Sequence, residues 1–442
     1  MARPKRVAIR ATLRKLFPGS KLREWAREQG AVERLRKVDP AALFWSVVLG
    51  FGDGRKRTLA GLRRAYEKAT RQTIEESSFY TRFNGGFVKL LRSALDHALR
   101  EAVGIGRKLT GPLAAFRDLV LTDGTVVRLH DLLATTYPGS RTNHSKAALK
   151  MHAVLSVTGA GNQSVKVTEG KRHDGPVFTV GPWIKGKLLL FDLGYFRYQL
   201  FASITRNQGY FLSRLKSHAN PTIVAVHRAW RGRSVPVVGR KLREVIGRLK
   251  RGVLDVTVEV AFPRRTYRGR VHRDTQRLRV IAIRDPRSGD YHLYVTNIPP
   301  SKLAAEDVQA VYAARWEVEL LFKELKSHYR LEDMPSSKRE VVEALLYAAM
   351  ITLLCSRKLL ALLRQKQPKD ADRFRTQRAA AVFASVADNL LWLLVRPPRD
   401  HGGLETELSR FLLFEGRDPH LDRPSLLRSI ETRRHAYRLE AA

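Results

Sequence analysis

The sequence predicts an α/β protein: a mixed β-sheet core, interrupted by a β-rich segment and flanked by helical regions at both ends. Three observations carry this. Residues 1–110 and those from 339 onward repeat apolar side chains at three- and four-residue spacing, the period of an amphipathic helix. Near residue 117 the texture changes to short Val- and Leu-rich runs separated by Gly and Asn, the pattern of strands and turns. Residues 187–216 then read as strand, helix, strand, which adds parallel pairing to the antiparallel runs before it.

Taken in order, "KLREWAREQGAVERL" and "PAALFWSVVLGF" are helical. "RTLAGLRRAYEKAT" (57–70) and "QTIEESSFYTRFNGGFVKLLRSALDHAL" (72–99) predict two helices joined by a polar link, with Thr73 or Ser77 as N-cap. That pair is compatible with a helix-turn-helix, although many small helical domains share the pattern. "RDLVLTDGTVVRL" (117–129), "ALKMHAVLSV" (148–157) and "QSVKVTEG" (163–170) predict three strands, with Asp123 at the end of the first. The apolar run "LLLF" stops at Asp192, Gly194 opens a turn, a helix runs to about 207, and "YFLSRLK" returns as a strand. Residues 217–300 predict one helix, "KLREVIGRLKRG", among the strands "DVTVEVAF", "RLRVIAIRD" and "DYHLYVTNI", with "PRRTYRGR" and "DPRSGD" as turns. "YAARWEVELLFKELKS" (312–327) is an amphipathic helix, and from 339 the chain is helical again. The expected boundaries are a helical DNA-binding region over 1–112, a core in two parts over 113–216 and 301–335, a β-rich insertion over 217–300, and a helical region over 336–442.

With 442 residues and 44% hydrophobic side chains, the chain can bury a large core. Lys and Arg number 81 against 42 Asp and Glu, a formal net charge of +39. Such an excess costs self-repulsion, so a small-molecule enzyme has no use for it; a polyanion, most naturally nucleic acid, does. An arginine-favouring genome is the bland alternative. The one cysteine, Cys355, sits in an apolar helical run and can form neither an internal disulfide nor a zinc site, which suits a reducing compartment. The start, "MARPKRVAIRATLRKLF", lacks the apolar stretch of a signal peptide. "VVEALLYAAMITLLC" (341–355) is too short for a membrane span and reads as a buried helix. The expectation is a cytoplasmic, nucleoid-associated protein with no membrane partner.

The 312–327 segment carries the sharpest pattern. At ~100° per residue, Arg315, Glu319 and Lys326 lie at about 300°, 340° and 320° from Tyr312, one stripe roughly 60° wide. Val311, Ala314, Val318, Leu321, Phe322 and Leu325 fill the neighbouring apolar arc. Two further acids, Asp123 and Asp192, each stand at a strand end with Gly close behind. Three carboxylates drawn to one point repel unless cations neutralise them, and hard divalent ions such as Mg²⁺ or Mn²⁺ suit oxygen ligands. Each acid also has an ordinary reading. Asp123-Gly124 is a strong hairpin-turn dipeptide. Asp192 can cap the helix that follows it. Glu319 can pair with Arg315 one helical turn back.

The spacing Tyr312-x2-Arg315-x3-Glu319-x6-Lys326 resembles the signature of the insertion-sequence-four family of bacterial DDE transposases. "YVTNIPP", "RWEVELLFKELKS", "FDLGYFRYQLFASITRNQGYFLSRLK" and "LTDGTVVRL" are similar to that family too, so the likeness spans roughly 115–335. The resemblance implies a ribonuclease-H-like catalytic core with a β-rich insertion between its second and third acids. It implies Asp123, Asp192 and Glu319 as a catalytic triad holding two Mg²⁺ or Mn²⁺ ions, and Tyr312, Arg315 and Lys326 as grips on DNA phosphates. It also implies cleavage at transposon ends by hydrolysis and a DNA hairpin, strand transfer into target DNA, terminal inverted repeats as partners, and a homodimer that pairs two ends. Two rivals are a metal-dependent nuclease without strand transfer and a non-catalytic DNA-binding derivative.

Weaker candidates complete the reading. Trp230 in "HRAWRGR" is one conceivable holder of a flipped base. His173-Asp174 can lie near the ions, or be solvated. Asn297 reads as a turn after a strand. "RGRVHRDTQR" reads as a DNA-facing basic loop or a solvated hairpin. His130, His144 and His152 have no metal-ligand spacing.

Overall fold

Nine apolar runs become strands: β1 (Leu119–Arg128), β2 (Ala148–Ser156), β3 (Ser164–Glu169), β4 (Leu188–Phe191), β5 (Tyr210–Arg214), β6 (Thr222–Val226), β7 (Val253–Tyr267), β8 (Arg270–Arg284) and β9 (Tyr291–Thr296). They form one sheet in the order β3-β2-β1-β4-β5-β9-β8-β7-β6. This computed structural model describes residues 7–32, 38–52, 57–101, 108–140, 145–158, 164–228, 236–267, 270–420 and 426–432. Trp230 and His144 lie outside them, as do residues 268 and 269 of the expected basic loop.

The first three strands form an antiparallel meander, and β4 and β5 run parallel to β1. β9 pairs antiparallel with β5, so residues 222–296 extend the same sheet rather than standing apart from it. A buried bidentate pair locks this extension: Arg279 donates from Nε to Asp255 Oδ1 at 2.8 Å and from Nη2 to Asp255 Oδ2 at 2.6 Å. The same guanidinium donates from Nη1 to the carbonyl of Leu303 at 2.8 Å, on the segment leading back to the 312–327 region.

Strand parity sets the two faces of the sheet. Leu121, Val127, Leu188 and Leu190 pack on one side, and Val120, Leu189 and Phe191 on the other. The second side is covered by helices Tyr198–Arg206 and Leu242–Arg248, with the Phe201 and Phe211 rings stacked 4.1 Å apart. The first side carries Trp316–Ser327 and a body of helices drawn from both ends of the chain. Arg339–Lys366 packs there against Gly85–Glu101 and Pro40–Leu49, and Pro40–Leu49 against Ala387–Val395. Arg10 Nε donates to the Leu393 carbonyl at 3.1 Å and Arg14 Nη2 to the Leu394 carbonyl at 2.7 Å. Arg57 is wholly buried in this body, donating to Val47 O at 2.7 Å and Thr352 Oγ1 at 3.0 Å. Burial lowers its guanidinium to about 9.

Several expectations change. β1 runs straight through Asp123-Gly124 to Arg128, so the dipeptide is neither a hairpin turn nor a strand end; pairing with β2 along the whole stretch overrides the local turn preference. "PRRTY" is strand rather than turn. A register shift between Pro263 and Arg265 absorbs the proline, which cannot donate to a ladder. Residues 270–277 of the expected basic loop belong to β8. Neither Thr73 nor Ser77 caps the second long helix. A separate short helix, Glu76–Tyr80, intervenes, and Asn84 Oδ1 accepts from Phe87 N at 3.0 Å at the start of Gly85–Glu101. Arg339–Lys366 outruns its apolar stretch and is long enough to cross a bilayer; 67% of its most apolar window is buried, against this chain's own helices.

Candidate active site

Register brings the two aspartates together. On the parallel pair β1 and β4, Leu121 lies opposite Leu190. Continued two residues further, past the end of β4, that register would set Asp123 beside Asp192, and the Asp192 charge does act on Asp123. Parity points both toward the side occupied by Trp316–Ser327, the helix that bears Glu319. Asp192 stands at the start of a short 3₁₀ turn, Leu193–Tyr195, and its side chain makes no capping bond. The capping role is therefore not taken up, although the position allows it.

Arg315 sits between the other two acids. Its Nη2 is 2.5 Å from Glu319 Oε1 and its Nη1 is 3.7 Å from Asp123 Oδ2. One guanidinium thus grips Glu319 on the helix and stands within ion-pair range of Asp123 on the strand. Asp123 Oδ1 also accepts from Gly124 N at 2.8 Å. Burial pushes the Asp123 carboxyl up to about 6; the Gly124 bond and Arg315 pull it down, and the Asp192 and Glu319 charges push it up again. The three acids therefore feel one another. For Arg315 burial is the largest influence and opposes its charge, yet Tyr312, Glu319 and Asp192 outweigh it and raise the guanidinium.

The donor set suits a hard divalent ion in kind: carboxylate oxygens only, with Asp123 raised chiefly by burial and further by the Asp192 and Glu319 charges. Among the described residues, however, no three His, Cys, Asp or Glu side chains are gathered closely enough to cage an ion. The Arg315 guanidinium supplies the positive charge between Asp123 and Glu319 in this arrangement. Beside these acids opens a cleft of about 520 Å³, with Thr125 at its floor and Lys323, Lys326 and Glu332 on its wall. Lys326 Nζ pairs with Glu332 Oε1 at 2.7 Å and reaches the Val126 carbonyl at 3.5 Å.

Tyr312 departs from the expected stripe. The 312–327 segment is not one helix but two, Val308–Ala313 and Trp316–Ser327. Across the join, Arg315 N donates to Tyr312 O and Val318 N to Arg315 O, three residues back rather than four. A 3₁₀ turn advances about 120° per residue instead of ~100°, so the rotation counted from Tyr312 slips. Tyr312 is turned inward, 9% exposed, and its hydroxyl donates to the Phe191 carbonyl at 3.2 Å. It reaches the end of β4 one residue before Asp192, not the cleft. Burial pushes its phenol up to about 12.

Asn297 is structural. Its Oδ1 accepts from Phe211 N and its Nδ2 donates to Gly209 O, both at 2.9 Å, replacing sheet bonds at the end of β5. His152 and Asp174, weak as sequence candidates, lie beside the aspartate segments; with Lys150 they form a charged cluster, Asp174 Oδ2 being 2.6 Å from Lys150 Nζ and Oδ1 3.0 Å from His152 Nδ1. No motif spacing marks this group. Its only sequence-level signal is strand pairing, which sets His152 opposite Gly124.

Residues 114–355 match the family described as "Transposase DDE domain". The chain belongs to that family. This transposase is 23% identical over 439 residues to the transposase for insertion sequence element IS231F of Bacillus thuringiensis subsp. israelensis, covering 90% of this chain and 89% of the relative. It is 22% identical to the IS231B transposase of Bacillus thuringiensis subsp. berliner, over 80% of each chain. It is 19% identical to the IS1151 transposase of Clostridium perfringens, over 78% of this chain and 79% of that one. Among solved structures, the piggyBac transposase synaptic complex with hairpin DNA aligns over 91% of this chain and 84% of that chain, with 10% identity and a TM-score of 0.43. The transposase is accordingly a DNA-cleaving and DNA-transferring enzyme of an insertion sequence.

Proposed function

We propose that Asp123, Asp192 and Glu319 form the active site at which this transposase cuts the ends of its insertion sequence and joins them to target DNA. The proposed frame is a ribonuclease-H-like core in two parts, 113–216 and 301–335, with 217–300 as the β-rich insertion between the second and third acids. The observation that carries the reading is the single Arg315 fork that clamps Asp123 and Glu319 beside an open cleft, with Asp123 pushed up to about 6. An ordinary surface ion pair does not come with a third acid just past the end of the next strand whose charge it feels.

Asp123, Asp192 and Glu319 would hold two Mg²⁺ or Mn²⁺ ions, which when bound polarise a phosphodiester and lower the pKa of a bound water. The protein's own groups bind and orient. Lys323 and Lys326 line the cleft wall and attract the DNA backbone, with Glu332 as the partner that phosphate displaces from Lys326. Arg315 holds Glu319 toward Asp123 and offers its remaining donors to a phosphate oxygen. Tyr312 acts through the Phe191 carbonyl, fixing the end of β4 and with it Asp192. Cleavage forms a bond from water oxygen to phosphorus and releases a 3′-hydroxyl. That hydroxyl then attacks a phosphodiester of the opposite strand, its oxygen bonding to phosphorus as the bond to the flanking strand's 3′-oxygen breaks, giving a hairpin; water reopens the hairpin by the same exchange, freeing the 3′-hydroxyl, which attacks a target phosphodiester and displaces a target 3′-oxygen. No protein nucleophile is needed, so Tyr312 is not one.

Terminal inverted repeats and target DNA are the partners proposed for the +39 chain, with the 1–112 helices binding the ends. Two copies would synapse two ends, with 336–442 contributing to their contact, in the bacterial cytoplasm at the nucleoid.

The test is a Mg²⁺-dependent cleavage and joining assay on the repeats that flank the gene. Asp123→Asn, Asp192→Asn and Glu319→Gln should each abolish both reactions while end binding in a mobility shift survives. Persistent cutting by any of the three would remove that residue from the site, and cutting without joining would favour a plain nuclease.

A further inference from the structure

We propose that Asp174 is a positioning residue for the active-site aspartates, a fourth carboxylate that wedges the two segments bearing them into register from behind. The inference rests on the active-site reading above and deepens it.

Parity turns Asp123 toward the catalytic helix and Gly124 toward the opposite side of the sheet. There, a Cβ added at Gly124 would lie 2.5 Å from Asp174 Oδ1 and 3.0 Å from Lys150 Cε. A Cβ added at Gly194, two residues after Asp192, would lie 3.4 Å from Asp174 Oδ2. One carboxylate therefore fills the side-chain space at 124, next to Asp123, with one oxygen and faces the side-chain space at 194, after Asp192, with the other. The glycine at 124 is needed because Asp174 already fills the space of a side chain there.

Asp174 is itself held. Lys150 Nζ donates to Oδ2 at 2.6 Å. His152 Nδ1 stands 3.0 Å from Oδ1, and its Nε2 contacts Thr168 Oγ1 at 2.9 Å. Both the Nδ1 and the Oδ1 atom are buried, and the close approach of His152 helps hold the Asp174 carboxyl below its ordinary range against burial, which raises it. The next residue is tethered as well: Arg197 Nη2 donates to the Gly175 carbonyl at 2.6 Å, tying the cluster to the helix that follows Asp192. Lys150 and His152 come from β2, Asp174 from the start of the short helix Asp174–Val177 after β3, and Arg197 from beyond β4. Three stretches of chain thus brace the site from the face away from the cleft.

The experiment measures end cleavage, end binding and Mn²⁺ binding by paramagnetic resonance in the full-length protein. The variants are Asp174→Asn, Asp174→Ala, Gly124→Ala and the Gly124→Ala/Asp174→Ala double, with Asp123→Asn alongside. Asp174→Asn and Asp174→Ala should each lower kcat and Mn²⁺ affinity by about 10–100-fold, as loss of an outer support does, with KM for end DNA unchanged. Gly124→Ala should lose comparably, because its methyl meets the carboxylate. The double variant should be no worse than the poorer single, since removing the carboxylate makes room for the methyl. The proposal is overturned if Asp174→Asn and Asp174→Ala cleave and bind Mn²⁺ as wild type while Asp123→Asn is dead. It is also overturned if their losses in cleavage track equal losses in end binding and thermal stability, or if the two single losses simply multiply. If Asp123→Asn itself cleaves, the active-site reading fails first.

Discussion

Replacing Asp123 with Asn should stabilise the metal-free protein at neutral pH. The side chain is 19% exposed, and burial raises its carboxyl from 3.8 to about 6. A tenfold change in acid strength corresponds to about 1.4 kcal/mol, so keeping Asp123 ionised costs the fold on the order of 3 kcal/mol. The sign follows from the direction of the change. Below the unfolded value both states are protonated and there is no penalty. As pH rises from about 4 to about 6, the unfolded chain ionises first and wild-type stability falls. Above that window the penalty is complete. Asn keeps an oxygen to accept from Gly124 N and removes the charge. Urea unfolding in a chelating buffer should therefore find the Asn variant more stable by up to about 3 kcal/mol at pH 7.5, with the gap closing toward pH 4. Adding Mg²⁺ should stabilise the wild type and leave the variant unmoved, because a ligand stabilises only the state that binds it. A variant less stable than wild type at pH 7.5 would refute the reasoning: Asp123 would then be an ordinary partner of Arg315, not one of a crowded set of acids awaiting cations.

Arg315→Lys should lower end cleavage on the order of tenfold in rate assays, since an ammonium cannot hold Asp123 and Glu319 with one planar fork. Glu324→Ala should destabilise by about 1–3 kcal/mol in urea unfolding, because fully buried Glu324 accepts from Arg357 at 2.6 Å and from the Tyr329 hydroxyl at 3.0 Å. Asp255→Ala should cost about 3–5 kcal/mol by unpairing buried Arg279, and should also slow cleavage by loosening the Leu303 carbonyl contact. Lys326→Ala should flatten the salt dependence of end binding by about one unit of slope in a mobility-shift titration.

The strand and helix settings of the three acids were legible because their neighbours are constrained twice over. Asp123 and Asp192 follow apolar runs that can only be buried strands, and Arg315, Glu319 and Lys326 recur at helical spacing. Tyr312 was not, because a helix join tightened by three-residue hydrogen bonds leaves no mark in composition, and a slip of ~20° per residue is enough to turn a phenol inward. The long β7–β8 hairpin was hidden by Pro263 and its run of arginines, which read as a turn until cross-strand pairing outweighs them. Asp174 illustrates a third limit. It faces the empty side-chain positions of Gly124 and Gly194, so only the register of β1 against β2 and the path of the chain after β4 bring them together.

The interleaving of the chain's two ends has a consequence for biosynthesis. Arg10 grips a carbonyl 383 positions downstream, and Arg14 one 380 positions downstream. At ~5–20 residues per second, the first helices leave the ribosome roughly 20–80 seconds before their partners exist. Trp316–Ser327 packs on β1 and on helices Arg339–Lys366 and Thr376–Ser385, which are made after it. A product cut short soon after residue 327 would carry Asp123, Asp192 and Glu319 without those helices, and is expected to show no nicking activity.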